Sequence, residues 1–245
     1  MPQPRVLAVI PARGNSRGLP GKNLRPFAGL PLIVHSIQYA QRIPLIERVI
    51  VSTDSPEIAT VARAYRADVP FMRPAELSTD TAPTWPVLQH ALEQAEARSG
   101  RYDLLVLLEP TSPARRLSYV TEGLQLLAEN AEADGLVAVS QPDFNPLWRG
   151  VINRDGWMED LSDLASRFER RQDVPTIYKI NGALYIWRRE FLEREASNWR
   201  KGRHLAYETP ELLSMSIDTL EDFNKGELLV KSGMIELEWL EARDG

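Results

Sequence analysis

The residues of this 245-residue chain that are best suited to chemistry lie in one loop, residues 12–23, within the stretch VIPARGNSRGLPGKNL. The loop combines three glycines with three cations: Gly14, Gly18, Gly21, Arg13, Arg17 and Lys22. Glycine permits positive φ and a close approach of the backbone to a ligand. Amides that point inward form a concave anion site, and arginine can bind phosphate with two parallel hydrogen bonds. The loop therefore predicts a phosphate site that suits a nucleotide polyphosphate.

The common phosphate-binding motifs do not match this loop. The P-loop pattern requires a glycine where Ser16 stands and a serine or threonine where Asn23 stands, and the dinucleotide fingerprint is absent. A flexible, solvated basic loop is the competing interpretation. The composition of the loop favours the phosphate site.

Acidic residues follow three hydrophobic runs further along the chain. Glu109 ends DLLVLLEP (103–110), and Asp218 lies in SIDTLED (216–222). A carboxylate at a strand end that faces a phosphate loop can hold Mg²⁺ against phosphates, so we assign Asp218 to a metal. Asp54, in VSTDS, is either part of a turn that caps a helix or a ligand contact, and the sequence leaves both open.

These residues need a framework that brings them to one place. Near-continuous apolar runs at 5–11, 48–53, 103–110 and 134–140 predict buried parallel strands. Amphipathic segments at 31–42, 55–67, 84–98 and 118–131 predict helices between them. Their alternation indicates an α/β fold, in which ligands bind beyond the carboxyl ends of the strands.

The second half of the chain is less regular. We interpret residues 1–245 as one domain with an inserted subdomain at about 141–178, where aromatics and turn residues are scattered without periodicity. Strand character returns at 180–187 and is also expected at 213–219, and the tail 220–243 is predicted to be helical.

Composition excludes several classes of protein. The chain has no cysteine, so disulfides and thiolate chemistry are absent, and its net charge of -5 argues against nucleic-acid binding. No apolar run approaches the roughly 18 residues of a membrane span. We therefore expect a soluble cytoplasmic protein whose partners are small molecules, with neither nucleic acid nor membrane among them.

Several motifs then coincide in order, and together the sequence resembles the acylneuraminate cytidylyltransferase family. The matching motifs cover most of residues 5–224: IPARGNSRGLPGKNL, VIVSTDSPEIA, RPAELSTDTAPT, LLEPTSPARR, RRQDVPTIYKINGALYIW and SIDTLEDF. The resemblance implies a Rossmann-like nucleotidyltransferase fold, with a mostly parallel sheet, helices on both faces and a small inserted dimerisation flap. It also implies CTP and Mg²⁺ (or Mn²⁺), a homodimer, and activation of an acidic sugar to its CMP-sugar with release of pyrophosphate.

The resemblance also implies roles for individual residues. Arg13, Lys22 and Asp218 would be catalytic, and Asp218 would hold the metal. The nucleotide-binding residues would be Ala12, Arg13, Gly14, Asn15, Ser16, Lys22, Asn23, Arg73 and Thr84. The sugar would be faced by Glu109, Arg171, Lys179 and Asn181.

Two departures from the family pattern leave the substrate open. Ser216 stands where the sialic-acid enzymes usually have a first carboxylate, and Glu109 stands where they usually have glutamine. The carboxylate of Glu109 would repel an acidic sugar unless a cation pairs with it, and it could instead accept bonds from hydroxyl or amine groups. The RRQDVP run resembles relatives that act on legionaminic or pseudaminic acid. The alternatives are a nucleotidyltransferase that uses another nucleotide, such as GTP, with a sugar 1-phosphate, and a catalytically impaired nucleotide-binding protein.

Overall fold

The computed structural model of the protein describes residues 3–15, 18–195 and 197–240, without the side chains of Ala165 and Arg171. Its strands are β1 Val6–Pro11, β2 Pro26–Phe27, β3 Leu30–Pro31, β4 Arg48–Ser52, β5 Leu104–Leu107, β6 Gly135–Ser140, β7 Val151–Arg154, β8 Trp157–Asp160, β9 Lys179–Arg188 and β10 His204–Glu208. Its α-helices are α1 Leu32–Gln41, α2 Pro56–Ala64, α3 Thr84–Ser99, α4 Ser118–Glu129, α5 Pro146–Arg149, α6 Arg189–Arg194 and α7 Leu220–Lys231.

Six strands form the central sheet, in the order β10–β6–β9–β5–β1–β4. The pairs β1–β4, β1–β5 and β6–β10 are parallel, whereas β9 runs antiparallel to both of its neighbours. The α/β class and the mostly parallel sheet are thus confirmed. The parallel strands β1, β4 and β5 end at one edge of the sheet, where the cationic loop begins.

Helices cover both faces of the sheet, which explains the near-continuous hydrophobic strands. In β1, Val6, Ala8 and Ile10 pack in the core shared with α1, α2, α4 and α7. Leu7 and Val9 face the other core, which α3 and α6 cover. Both sets are at most 1% exposed, so the strand that carries the loop is fixed on both sides.

The predicted elements differ from the structure mainly near the C-terminus. The segment 213–219 is not a strand, because it crosses the sheet edge and its Ile217 N–H donates to the carbonyl of Thr111 at 2.8 Å. Helix α7 ends at Lys231, before Gly233 at φ 74, and residues 241–243 of the predicted tail lie outside the described residues. Strand β10, paired with β6, was not predicted.

Residues 141–178 hold helix α5 and the β7–β8 hairpin. All eight residues of the two strands are exposed. Asp155 (φ 52) and Gly156 (φ 90) form the two-residue turn, whose positive φ values match the twist of a hairpin. Across the ranges of the chain described above, no helix is long and apolar enough to cross a membrane.

Candidate functional site

A cavity of about 380 Å³ opens at the carboxyl edge of β1 and β5. Seven residues that the sequence assigned to a site line it: Arg13, Lys22, Asn23, Arg73, Thr84, Glu109 and Asp218. They come from the loop after β1, the polar loop before α3, the end of β5 and the segment before α7. The fold therefore brings together residues that are up to 205 positions apart, as Arg13 and Asp218 are.

Asp218 is held by two neighbours. One carboxylate oxygen accepts a hydrogen bond from the ammonium group of Lys22 at 2.8 Å, and the other accepts one from the Ser216 hydroxyl at 2.7 Å. Burial would raise the pKa of Asp218, but these bonds and the charge of Lys22 together lower it below its usual value. The carboxylate is therefore ionised throughout the neutral pH range.

The loop glycines were predicted to let the backbone approach a ligand, but in the structure they mainly allow the loop to pack against its neighbours. A Cβ on Gly18 would lie 2.3 Å from the carbonyl oxygen of Asp218, so only glycine allows this approach. Gly21 has φ +66, which favours glycine, and starts the turn that carries Lys22. The amide of Gly14 donates to Asp54 at 2.9 Å, so it is not directed at a ligand.

Asp54 connects the loop to Arg73. Its carboxylate accepts the Gly14 amide and lies 3.9 Å from the Arg73 guanidinium. Arg73 is 8% exposed, and two of its side-chain nitrogens, Nε and one Nη, have no hydrogen-bond partner among the described residues. Burial lowers the pKa of Arg73, and the charge of Asp54 opposes that shift. Buried donors normally carry hydrogen bonds, so a ligand or an ordered water is needed to complete the hydrogen bonding of Arg73.

The remaining loop residues differ in burial and in their hydrogen-bond partners. The Arg13 side chain pairs with Asp80 at 2.6 Å, and buried Asn23 donates to the Arg13 carbonyl at 3.0 Å, which closes the loop. Ala12 is buried and its amide donates to the carbonyl of Ser52, whereas Asn15 is exposed. Ser16, also predicted to bind nucleotide, lies outside the described residues.

Glu109 is half-buried at the end of β5. Burial raises the pKa of its carboxyl group and the charge of Asp218 adds to this, while Arg115 and Lys22 act in the opposite direction. Arg115 is buried and donates to the carbonyl of Ala183 at 2.6 Å, to Ser36 at 3.0 Å and to the main-chain carbonyl of Glu109 at 2.6 Å. Arg115 therefore fixes the backbone beneath the cavity.

The other predicted sugar residues do not line this cavity. Lys179 lines a neighbouring cavity of about 450 Å³ and pairs with Glu211 at 2.5 Å. Asn181 is buried, and its amide donates to the Thr209 hydroxyl at 2.7 Å. The side chain of Arg171 lies outside what the structure describes.

Sequence reasoning missed Asp80, and it did not identify the partners of Asp54 and Ser216. Asp80 pairs with Arg13, Asp54 holds Gly14, and the Ser216 hydroxyl binds Asp218. Asp80 and Asp54 lie within polar motifs quoted above, so the sequence indicated these segments but not the residues with which they pair. Within the described part of the chain, no group of three or more His, Cys, Asp or Glu residues could hold a metal ion by itself.

Comparisons with known proteins find a family model and relatives that match most of this chain. A family model described as cytidylyltransferase matches residues 7–238. CMP-N,N'-diacetyllegionaminic acid synthase of Legionella pneumophila is 37% identical over 182 residues, which is 74% of this chain and 77% of the relative. Pseudaminic acid cytidylyltransferase of Campylobacter jejuni is 30% identical over 226 residues, 92% and 96% of the two chains.

The fold also matches a solved structure of low sequence identity. The structure of CMP:2-keto-3-deoxy-manno-octonic acid synthetase complexed with CTP has a TM-score of 0.70 and 18% identity, and the match covers 94% of this chain and 99% of that one. At this identity the likeness concerns the fold alone. It agrees with the mostly parallel sheet and the helices on both faces.

Proposed function

Because this chain belongs to the cytidylyltransferase family, we propose that it is a CTP-dependent enzyme that converts a nonulosonate, an acidic sugar of the sialic-acid type, into its CMP-sugar with release of pyrophosphate. Relatives named for legionaminic and pseudaminic acid support this substrate class. The enzyme works in the cytoplasm, where CTP is available.

One structural observation carries the proposal. Three cations, Arg13, Lys22 and Arg73, line a single cavity at the carboxyl edge of the sheet, and buried Arg73 has unpartnered donors there. A triphosphate is the polyanion that suits Arg13 and Lys22, two partly buried cations beside one loop. The carbonyl and hydroxyl oxygens of cytidine suit the donors of Arg73. We assign the phosphates to Arg13 and Lys22, and the cytidine to Asn23, Arg73 and Thr84.

The reaction needs little covalent chemistry from the protein. The anomeric hydroxyl of the sugar forms a bond to the α-phosphorus of CTP. The bond between that phosphorus and the oxygen that bridges it to the β-phosphate breaks, so pyrophosphate leaves. The hydroxyl proton passes to solvent. Arg13 and Lys22 neutralise charge that builds up on the phosphates, and the cavity walls align the two substrates. Lys22 changes partner from Asp218 to phosphate when the nucleotide enters.

The residues present fit a divalent cation held mainly by the substrate. Mg²⁺ is commonly bound through one or two carboxylates together with phosphates and waters, and Asp218 supplies one carboxylate at the cavity. Asp218 would hold Mg²⁺ or Mn²⁺, and the ion would add positive charge next to the phosphates. The Ser216 hydroxyl, at 2.7 Å, keeps that carboxylate oriented.

The enzyme functions as a homodimer built through residues 141–178. The exposed fractions of Trp157 (79%) and Met158 (74%) in the β7–β8 hairpin support this, together with exposed Val151 and Leu161. An apolar surface of this kind marks an interaction site. We assign the sugar to the part of the cavity beside Glu109. Lys179, Asn181 and Arg171 belong to the proposed sugar site through the family resemblance alone.

The test is pyrophosphate release with Mg²⁺, in which four ribonucleoside triphosphates are crossed with acidic sugars and sugar 1-phosphates. Turnover restricted to CTP and a nonulosonate, with the CMP-sugar identified by mass spectrometry, is the expected result. Turnover with GTP or UTP and a sugar phosphate would replace the proposal. A shift of the melting temperature by CTP without any turnover would indicate a nucleotide-binding protein.

A further inference from the structure

Three carboxylates line the cavity, and one of them differs from the others. Asp80 pairs with Arg13 at 2.6 Å, and Asp218 is bound by Lys22 at 2.8 Å. The carboxylate of Glu109 receives no hydrogen bond from any residue in the described ranges; the bonds at Glu109 go to its main-chain carbonyl. The cavity therefore presents one acidic side chain that lacks a donor.

Buried Arg115 does not neutralise the Glu109 carboxylate by direct contact. Arg115 is 1% exposed, and its three nitrogens donate to Ala183, Ser36 and the main chain of Glu109. The guanidinium thus acts on the Glu109 carboxylate through space only. Lys22, the other cation that influences Glu109, lies on Asp218.

The wall beside Glu109 is built to leave room for its carboxylate. A Cβ on Gly182 would lie 2.6 Å from Oε2 of Glu109 and 2.9 Å from the hydroxyl oxygen of Ser112. Gly182 has φ +72, which favours glycine as well. The Ser112 hydroxyl is buried and has no partner among the described residues. The Glu109 carboxylate lines the cavity, and the Ser112 hydroxyl lies close behind it, next to Gly182.

Glu109, Ser112 and Gly182 form a niche, and the negative charge of Glu109 determines which substrate groups can bind there. A phosphate or carboxylate would be repelled there, and a half-buried carboxylate is costly without a partner. An ammonium group supplies donors and a counter-charge together, in a bond about twice as strong as a neutral one. We propose that Glu109 selects nonulosonates that present a free, protonated amino group to this niche.

This selection rests on the proposed function and specifies its substrate. N-acetylation of the amino group removes the positive charge that pairs with the Glu109 carboxylate. The carboxylate should therefore discriminate against the N-acetylated form. A glutamine at position 109 offers both a donor and an acceptor, and it carries no charge. It should favour the N-acetylated form instead.

The experiment compares the wild-type chain, Glu109→Gln and the remote control Glu132→Gln, whose residue is exposed after α4. Each is assayed with CTP and two nonulosonates that differ only in whether one amine is free or acetylated. The ratio of kcat/KM for the free amine over the acetylated sugar should favour the free amine in the wild type. It should fall at least about tenfold in Glu109→Gln, in line with the discrimination that a site gains from pairing a substrate polar group, and stay unchanged in Glu132→Gln.

The outcomes separate the two proposals. If the wild type turns over and the ratio of kcat/KM for the free amine over the acetylated sugar is the same in all three chains, the selection is overturned and the proposed function remains intact. An equal fall in kcat/KM for both sugars in Glu109→Gln would also overturn the selection, because Glu109 would then act in turnover without affecting selectivity. Absence of turnover by the wild type with either sugar and any nucleotide would overturn both. The CTP-induced shift of melting temperature should match in all three chains.

Discussion

The ammonium group of Lys22 lies 2.8 Å from the carboxylate of Asp218, although 196 positions separate the two residues in the chain. The same ammonium donates to the carbonyl of Ile217 at 3.1 Å. This contact joins the loop after β1 to the segment before α7 and closes one side of the cavity. It also places a negative charge next to the ammonium group of Lys22, which, under the proposed function, exchanges Asp218 for a phosphate when the nucleotide binds.

Asp218→Asn should abolish most turnover and spare nucleotide binding. The amide keeps the shape of the side chain but not its charge, so pyrophosphate release should fall about 100-fold or more, as when a charge-stabilising group is removed. The affinity for CTP, measured by calorimetry, should change by less than about tenfold, which is 1.4 kcal/mol, because Arg13 and Lys22 still bind the phosphates. Near-normal turnover would contradict the assignment of Asp218 to the metal.

Gly18→Ala should damage both stability and turnover, because its Cβ would lie 2.3 Å from the carbonyl oxygen of Asp218. We expect a loss of about 1–3 kcal/mol, the usual cost of overpacking, and a lower kcat. Gly233→Ala is the matched control: its φ is +74, with nothing within 4 Å of the added Cβ. It should cost about 1 kcal/mol without affecting kcat. Chemical denaturation and pyrophosphate release measure both, and equal kcat values in the two variants would exclude a role of Gly18 in the site.

Substitutions of Asp54 should separate its two contacts. In Asp54→Asn the amide oxygen still accepts the Gly14 amide, but buried Arg73 loses its counter-charge, so the melting temperature should fall while KM for CTP changes little. Asp54→Ala also removes the acceptor of Gly14, at a cost of about 1–3 kcal/mol for the unsatisfied group, and should raise KM several-fold. Equal KM values in the alanine variant and the wild type would show that the loop does not depend on Asp54.

The raised pKa of Glu109 predicts how stability depends on pH. In the unfolded chain a glutamate ionises near pH 4.3, whereas burial makes ionisation harder in the folded protein. The ionised group therefore destabilises the folded state at neutral pH, and this penalty is absent below the unfolded pKa. Glu109→Gln should raise the melting temperature at pH 7, and the difference should shrink as the pH falls through about 4.

Glu132→Gln again serves as the exposed control for the pH series and should follow the wild type at every pH. A difference between Glu109→Gln and the wild type that is constant with pH would show that packing, and not charge, is responsible. A lower melting temperature for Glu109→Gln at pH 7 would mean that the carboxylate has a stabilising partner in solution. Either result would contradict the structure of the niche.

Local patterns determined much of the fold and of the cavity. Apolar runs without alternation placed β1, β4, β5 and β6, because strands covered on both faces have no polar side. The ordered motifs also identified the residues that line the cavity, since glycines, cations and strand-end carboxylates are visible in the sequence. The sequence failed at 213–219 and at β10, where short segments of mixed polarity take their conformation from contacts with the sheet edge.

Only the tertiary structure determined which of these residues pair with one another. The sequence by itself determined the α/β class, the position of the cationic loop after β1 and the choice of Arg13, Lys22, Glu109 and Asp218 as cavity residues, because each depends on residues close together in the chain. It did not determine that the Gly14 amide donates to Asp54, that Lys22 binds Asp218, or that the Glu109 carboxylate receives no hydrogen bond from the described residues. Those relations join segments far apart in sequence, and only the folded sheet fixes the distances on which hydrogen bonds and charge pairing depend.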